Sequence, residues 1–260
     1  FEFLGHVFNS GPIGSKGNYT SAVHTFDYNK DGNSDVLIGN RGQVNELYEN
    51  MGGGEFLLKD EAFSRGEDKI GRHTAGFLTV NLSGYNEKDV LVLNNLKSAN
   101  ELYENKRAGE FAYIGELFNG SSYVSSAGSS VFRSTTNAVV LQSSKNAGFD
   151  HIVIANDNNE PNELYELTNA GEIRYVGDTF NDGLAGTYDR STKALLAIDI
   201  DNDGDDDLIV CNGERTNSDY GKRGPDKDEH EMANELYENH GDGIFSYLGK
   251  RFNGGFAGNN

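Results

Sequence analysis

The chain has no tryptophan, one cysteine, two methionines and three prolines in 260 residues. A single cysteine excludes an internal disulfide, so any staple of the fold must be of another kind. Cys211 lies in the apolar run Leu208–Cys211 and reads as a small buried residue, not a reactive thiol. No apolar run reaches the length of a membrane-spanning helix. Positive charge is scarce: 22 Lys and Arg stand against 41 Asp and Glu, a net charge of −19. Such a surface repels phosphates, which excludes nucleic acid as a partner and favours cations. The six histidines are scattered singly, and no Ser-His-Asp neighbourhood, Cys-x-x-Cys or phosphate-cradling glycine loop occurs. The missing indole also weakens a lectin reading, since sugars stack well on that ring. The chain lacks an initiator Met and a charged-then-apolar leader, so a processed or fragmentary N-terminus is expected.

What the chain has in quantity is glycine, 33 residues of it, and one hexapeptide written four times. Residues 45–50, 100–105 and 234–239 read Asn-Glu-Leu-Tyr-Glu-Asn, and 162–167 ends in Leu167 instead. Intervals of 55, 62 and 72 residues mark a repeat architecture. Around each copy stand short apolar runs bounded by Gly, Asn or Asp, which is the habit of strands. The fourth repeat gives runs at 194–199, 207–212, 235–239 and 243–249; the first gives them at 22–27, 35–38, 46–49 and 55–58. Gly54, Gly109, Gly171 and Gly243 each follow the hexapeptide by four residues, where a hairpin needs positive φ. Links this short exclude parallel crossovers. The sequence therefore predicts an all-β fold: a β-propeller of four-stranded antiparallel blades, one domain over 1–260, with repeats at about 22–63, 73–118, 136–180 and 193–252. Phe1–Asn9 matches Phe245–Asn253, so an extra N-terminal outer strand is expected at 1–9. It marks either a piece of a longer array or a strand that pairs with a neighbouring molecule.

Two of the links between first and second runs are acidic. Asp199, Asp201, Asp203, Asp205 and Asp207 alternate in one, and Asp27, Asn29, Asp31, Asn33 and Asp35 in the other. Oxygens at positions 1, 3, 5 and 9, a main-chain carbonyl at 7 and Gly32 or Gly204 at the turn can wrap one hard cation. Position 12 is Ile38 or Val210 instead of Glu and the flanks are β-type, so an EF-hand is rejected. An oxygen cage of this size suits calcium better than magnesium. The alternative is an acidic turn without metal. Counting back from Asp89 finds Asn81, Ser83 and Tyr85, and from Asp150 finds Gln142, Ser144 and Asn146. Two calcium sites and two metal-free turns are expected. In the Glu-Leu-Tyr-Glu strands, the leucines are expected between blades and the glutamates near a solvated edge.

An acidic loop of this form, a short apolar strand and then Asn-x-Leu-Tyr-x-Asn-x-Gly-Asp-Gly-x-Phe at 234–245 resembles the FG-GAP/VCBS repeat family, which includes integrin α-subunit propellers. The resemblance runs over nearly the whole chain and is strongest at 194–252 and 22–58. It implies a calcium-bearing β-propeller, extracellular or at the cell surface, used for adhesion or recognition. The expected function is accordingly non-enzymatic: recognition of a protein or glycan on the face opposite the calcium loops, or self-assembly into a homo-oligomer or filament through the terminal strand. The alternative is a polysaccharide-acting propeller enzyme or a glycan-binding lectin. The long link 213–232, with Arg215, Tyr220, Lys222, Arg223 and His230, and the serine-rich 119–135 are the candidate binding loops. Sequons at Asn18, Asn81 and Asn119 are about as many as chance supplies.

Overall fold

The computed structural model describes residues 19–60, 63, 72–82, 87–96, 98–106, 110–116, 118, 133–143, 149–158, 160–168, 171–180, 191–213, 234–241 and 243–249. These form four antiparallel four-stranded sheets, and no helix occurs among them. Sheet 1 holds β1 (Thr20–Phe26), β2 (Asp35–Asn40), β3 (Glu46–Asn50) and β4 (Phe56–Asp60). Sheet 2 holds β5 (Thr74–Val80), β6 (Asp89–Asn94), β7 (Glu101–Asn105) and β8 (Phe111–Glu116). Sheet 3 holds β9 (Thr135–Leu141), β10 (Phe149–Asn156), β11 (Asn162–Thr168) and β12 (Ile173–Thr179). Sheet 4 holds β13 (Ser191–Ile198), β14 (Asp207–Gly213), β15 (Glu235–Asn239) and β16 (Phe245–Gly249). In every sheet the strands are ordered as in the chain. The hairpin glycines behave as their spacing requires: Gly54, Gly171 and Gly243 have φ of 88°, 80° and 70°. Gly109, the surplus strand 1–9, most of the loops at 119–135 and 213–232, and the sequons at Asn18 and Asn119 lie outside the described residues.

The chain divides into two compact units, 1–117 and 118–260. Within the first, sheets 1 and 2 pack face to face. Side chains alternate between faces along each strand, so a cross-strand row lies on one face only. The row His24–Leu37–Leu47 of sheet 1 meets Val90, Val92 and Tyr103 of sheet 2, joined by Phe26 and Phe77. The second unit repeats the arrangement. The row Val139–Val153–Leu164 of sheet 3 meets Leu195, Leu208, Val210 and Tyr237 of sheet 4. Leu37, Val153 and Leu208 are fully buried, and truncating one to alanine costs about 2–5 kcal/mol.

A phenylalanine after the last strand of a sheet then packs edge-on against the tyrosine of the next hexapeptide. Phe63 meets Tyr103 at 5.0 Å, Phe118 meets Tyr165 at 4.8 Å and Phe180 meets Tyr237 at 5.1 Å between ring centroids. All three phenylalanines hold left-handed φ of 61–63°, an uncommon conformation for an aromatic residue. Sharing it at three equivalent corners makes it part of the architecture.

The glutamates correct one expectation. Glu46, Glu101, Glu163 and Glu235 do not line a solvated edge; each is at most 1% exposed. Every one accepts a hydrogen bond from the tyrosine two residues on, at 3.4, 3.0, 2.5 and 2.9 Å respectively. Arg72 Nε lies 3.0 Å from Glu101, and Arg133 Nη1 lies 2.9 Å from Glu163. A buried carboxylate survives only when paired in this way. Burial, followed by the Glu46 charge, pushes the Tyr48 hydroxyl up to about 12, so it stays a donor. Asparagines complete the frame: Asn45, Asn100, Asn162 and Asn234 each accept the main-chain amide of Asn40, Asn94, Asn156 and Asn212. Cys211 is half-buried, not buried as its apolar run suggested.

Candidate metal loops

The two acidic loops fold into the same hydrogen-bonded shape. In the first, Asp27 accepts the amides of Asp31 and Gly32 on its two oxygens, at 3.2 and 2.9 Å. In the second, Asp199 accepts those of Asp203 and Gly204, at 3.2 and 3.0 Å. Asn29 Oδ1 and Asp201 Oδ1 each accept the amide two residues on, and so do Asp31 Oδ1 and Asp203 Oδ1. Gly32 and Gly204 have φ of 91° and 94°, and Lys30 and Asn202 both have 61°. A β-carbon at Gly32 would meet nothing within 4 Å, so conformation alone requires glycine there.

The ninth-position aspartate has a second task that the spacing did not reveal. Asp35 accepts the amides of Tyr28 and Asn50, at 3.0 and 2.8 Å, and Asp207 those of Ile200 and Asn239, at 2.8 and 2.9 Å. Asp89, in a loop without the acidic pattern, makes the same pair to Leu82 and Asn105, both at 2.9 Å. This carboxylate therefore clasps the corner between first and third strands with or without a cation. In sheet 3 the strand register corrects the count: His151, not Asp150, lies across from Leu141, as Asp35 does from Phe26. That loop is one residue longer: Asp150 still accepts the amide of Ser143, at 3.3 Å, while His151 is buried at the register position of Asp35.

The predicted ligands do not all converge. One oxygen from each of Asp199, Asp201 and Asp207 lies within 4.8 Å of the others. Two oxygens bound to one calcium at about 2.4 Å can be separated by no more than about this distance. The donors are hard oxygens without nitrogen or sulfur, so the set fits a hard cation. Asp203 holds position 5 and braces the turn. Asp205 is fully buried and turns toward sheet 3, where Ser143 Oγ donates to it at 3.1 Å. Its share in a cage is thus its main-chain carbonyl. In the first loop Asp27, Asn29, Asp31 and Asp35 ring the turn in equivalent places, and Asn33 sits at the carbonyl position. Burial holds the Asp35 carboxyl above its usual range, and the charges of Asp31 and Asp27 add to this, against two main-chain amides that lower it. A bound cation reverses that penalty.

Two groups of supporting residues were missed. Asn50 and Asn239 reach back from the end of the hexapeptide to the carbonyls of Ser34 and Asp206, both at 3.0 Å. Arg72 and Arg133 were also missed, although Arg-x-Thr at 72–74, 133–135 and 190–192 is a visible repeat.

No protein-family model matches the chain, and no curated protein matches it. Solved structures do. One is BBS1N in complex with ARL6DN, at TM-score 0.44 and 13% identity, over 89% of this chain and 58% of that one. Another is an Agrocybe aegerita lectin that recognises non-reducing terminal N-acetylglucosamine, at TM-score 0.44 and 16% identity, over 88% of this chain and 52% of that one. A third is a Bacillus licheniformis rhamnogalacturonan lyase, at TM-score 0.41 and 13% identity, over 74% of this chain and 40% of that one. The chain spans about half the length of the first two.

Proposed function

We propose that this chain is a calcium-fastened β-propeller-type repeat protein of the FG-GAP/VCBS kind, which acts outside the cell or at its surface by presenting surfaces and not by catalysis. The observation that supports the reading is the identical hydrogen-bonded fold of the loops at 27–35 and 199–207, reached by two stretches of different sequence. Asp27, Asn29, Asp31 and Asp35 would hold one ion, and Asp199, Asp201, Asp203 and Asp207 the other. The carbonyls of Asn33 and Asp205 complete the cages. The ion supplies charge neutralisation in a −19 chain and ties the first and second strands of a sheet together. Calorimetric titration of the chelated chain tests this: two calcium ions bind per chain, and one or none in Asp27→Ala and Asp199→Ala variants. No binding, or four strong sites, refutes it.

A protein or glycan is the proposed ligand of the surface. Among neighbouring structures the lectin and the lyase are described by their glycans, but likeness that shallow carries no substrate across. The glycan reading therefore rests on its own test, a glycan array beside a polysaccharide-degradation assay. Release of unsaturated or reducing sugar would replace the non-catalytic reading with the enzymatic one.

A further inference from the structure

The loops at 27–35 and 199–207 share a fold but not a charge. The second carries Asp199, Asp201, Asp203, Asp205, Asp206 and Asp207 and no basic residue, whereas the first sets Asp27, Asp31 and Asp35 against Lys30. The difference falls where a cation would be held. Asp199, Asp201 and Asp207 each bring one carboxylate oxygen within 4.8 Å of the others, and among the described residues no second such trio of acidic, histidine or cysteine side chains converges. Carboxylates this close repel one another, and a positive charge between them relieves it. In the first loop the third position is Asn29, whose amide nitrogen donates to Asp31 Oδ2 at 3.2 Å and to Glu49 Oε1 at 2.9 Å. A cation there competes with a donor the chain already supplies. Lys30, paired with Glu87 at 3.3 Å, stands where the second loop has the neutral Asn202.

The loops also differ in how firmly they are held. Fully buried Asp205 accepts the Ser143 hydroxyl at 3.1 Å. Asp206 donates its amide to the Gln142 carbonyl and accepts the Gln142 amide on its carboxylate, both at 2.9 Å. These bonds fasten one half of the loop to sheet 3 without an ion. Asn33 and Ser34, half-buried and exposed, occupy the same places in the first loop and carry no charge. Affinity in oxygen loops follows the number of charged ligands and the rigidity of the site, and both favour 199–207. We infer, on the calcium reading above, that the two loops are unequal sites: 199–207 fills first, and 27–35 is weaker by about tenfold or more. The weaker loop is the one that reaches into the following sheet. Tyr28 is buried, lies 6.3 Å from Phe111 of sheet 2 between ring centroids, and accepts Asn105 Nδ2 on its carbonyl at 3.0 Å. Its counterpart Ile200 is 42% exposed. A rise or fall of calcium around the weaker affinity therefore acts on the seam between sheets 1 and 2, with the other loop already filled.

Two-dimensional NMR of the whole, isotope-labelled chain during a calcium titration tests this. Gly32 and Gly204 report on one loop each, since their amides bond to Asp27 and Asp199. The Gly204 signal reaches its final position first, and the Gly32 signal does so at about tenfold more calcium or higher. The side-chain amide of Asn105 moves with Gly32 and not with Gly204. Asn29→Asp supplies the missing carboxylate and removes the competing donor, so the Gly32 transition moves to lower calcium. Asp201→Asn moves the Gly204 transition to higher calcium. Coincident transitions, the reverse order, or a Gly32 transition unmoved by Asn29→Asp overturns the inequality and leaves two calcium sites standing. If neither glycine responds to calcium, the calcium reading falls and the inequality with it.

Discussion

At the scale of single residues the sharpest dependence is on buried charge. Arg133 lies beside Glu163, which has no exposed surface, and it also reaches both oxygens of Asp178 and the carbonyl of Pro161. Arg133→Met leaves Glu163 buried without its cation and is expected to cost about 3–5 kcal/mol in urea unfolding. Replacing Arg174, whose side chain is 71% exposed, is expected to cost under about 1 kcal/mol. Gly243 offers a second contrast. A β-carbon there would lie 2.7 Å from His151 Nε2 at a φ of 70°, whereas at Gly32 only the conformation resists. Gly243→Ala is expected to lower the melting temperature more than Gly32→Ala, which costs about 1–2 kcal/mol. Histidines set the acid limb. Burial lowers the pKa of His24 and His151, in the latter case against Glu166 and Asp150. Folded chains therefore bind fewer protons than unfolded ones just below the ordinary histidine range. The stability from these neutral rings is present above pH of about 6.5 and is lost as pH falls through the lowered values. Melting temperature should decline as pH falls below about 6.5, and the decline should flatten in a His24→Gln, His151→Gln double variant.

At the scale of the corner, clasp and cage separate. Asp89→Asn removes one of two acceptors for the amides of Leu82 and Asn105 in a loop without the metal pattern. Its expected cost of about 1–3 kcal/mol is the same in calcium and in chelator. Asp201→Asn keeps an oxygen for the Asp203 amide but loses a charge from the cage. It should leave the chelated protein unchanged and reduce only the gain in melting temperature on adding calcium. Much of this scale was legible in the sequence. Short runs, positive-φ glycines and the alternating acids at 199–207 are local signals, and local chemistry fixes them. What stayed hidden depended on distance. The Arg133–Glu163 pair joins residues 30 apart, and the inserted residue that puts His151 at the register position of Asp35 shifts a count by one without changing composition. The burial of Glu46 and its counterparts was likewise invisible, since Glu-Leu-Tyr-Glu alternates equally well at an edge or inside.

At the scale of the whole molecule, each compact unit carries one of the two acidic loops proposed to bind calcium, 27–35 in the first and 199–207 in the second. Chelation should therefore lower the stability of both. With calcium near 1 mM and a Kd near 0.1 mM, each site adds roughly 1.4 kcal/mol by linkage. Differential scanning calorimetry with and without chelator measures the sum, and an unchanged melting profile would remove the metal from the account. The repeat count could be read from the hexapeptide, and the four-stranded grouping from the short apolar runs around each copy, because a fourfold pattern constrains itself. The exposure of Leu196 and Ile198 could not, since both look like core until their neighbours are placed.

The corner of sheet 2 has a practical consequence. Asp89 shows that this bend closes on two amides and needs no ion to do so. Grafting residues 81–89 in place of 27–35, and again in place of 199–207, should give a protein indifferent to calcium yet with the same sheets. Ion dependence in this architecture would then be a detachable trait, one that a repeat can gain or shed by changing a few loop side chains while the strands stay where they are.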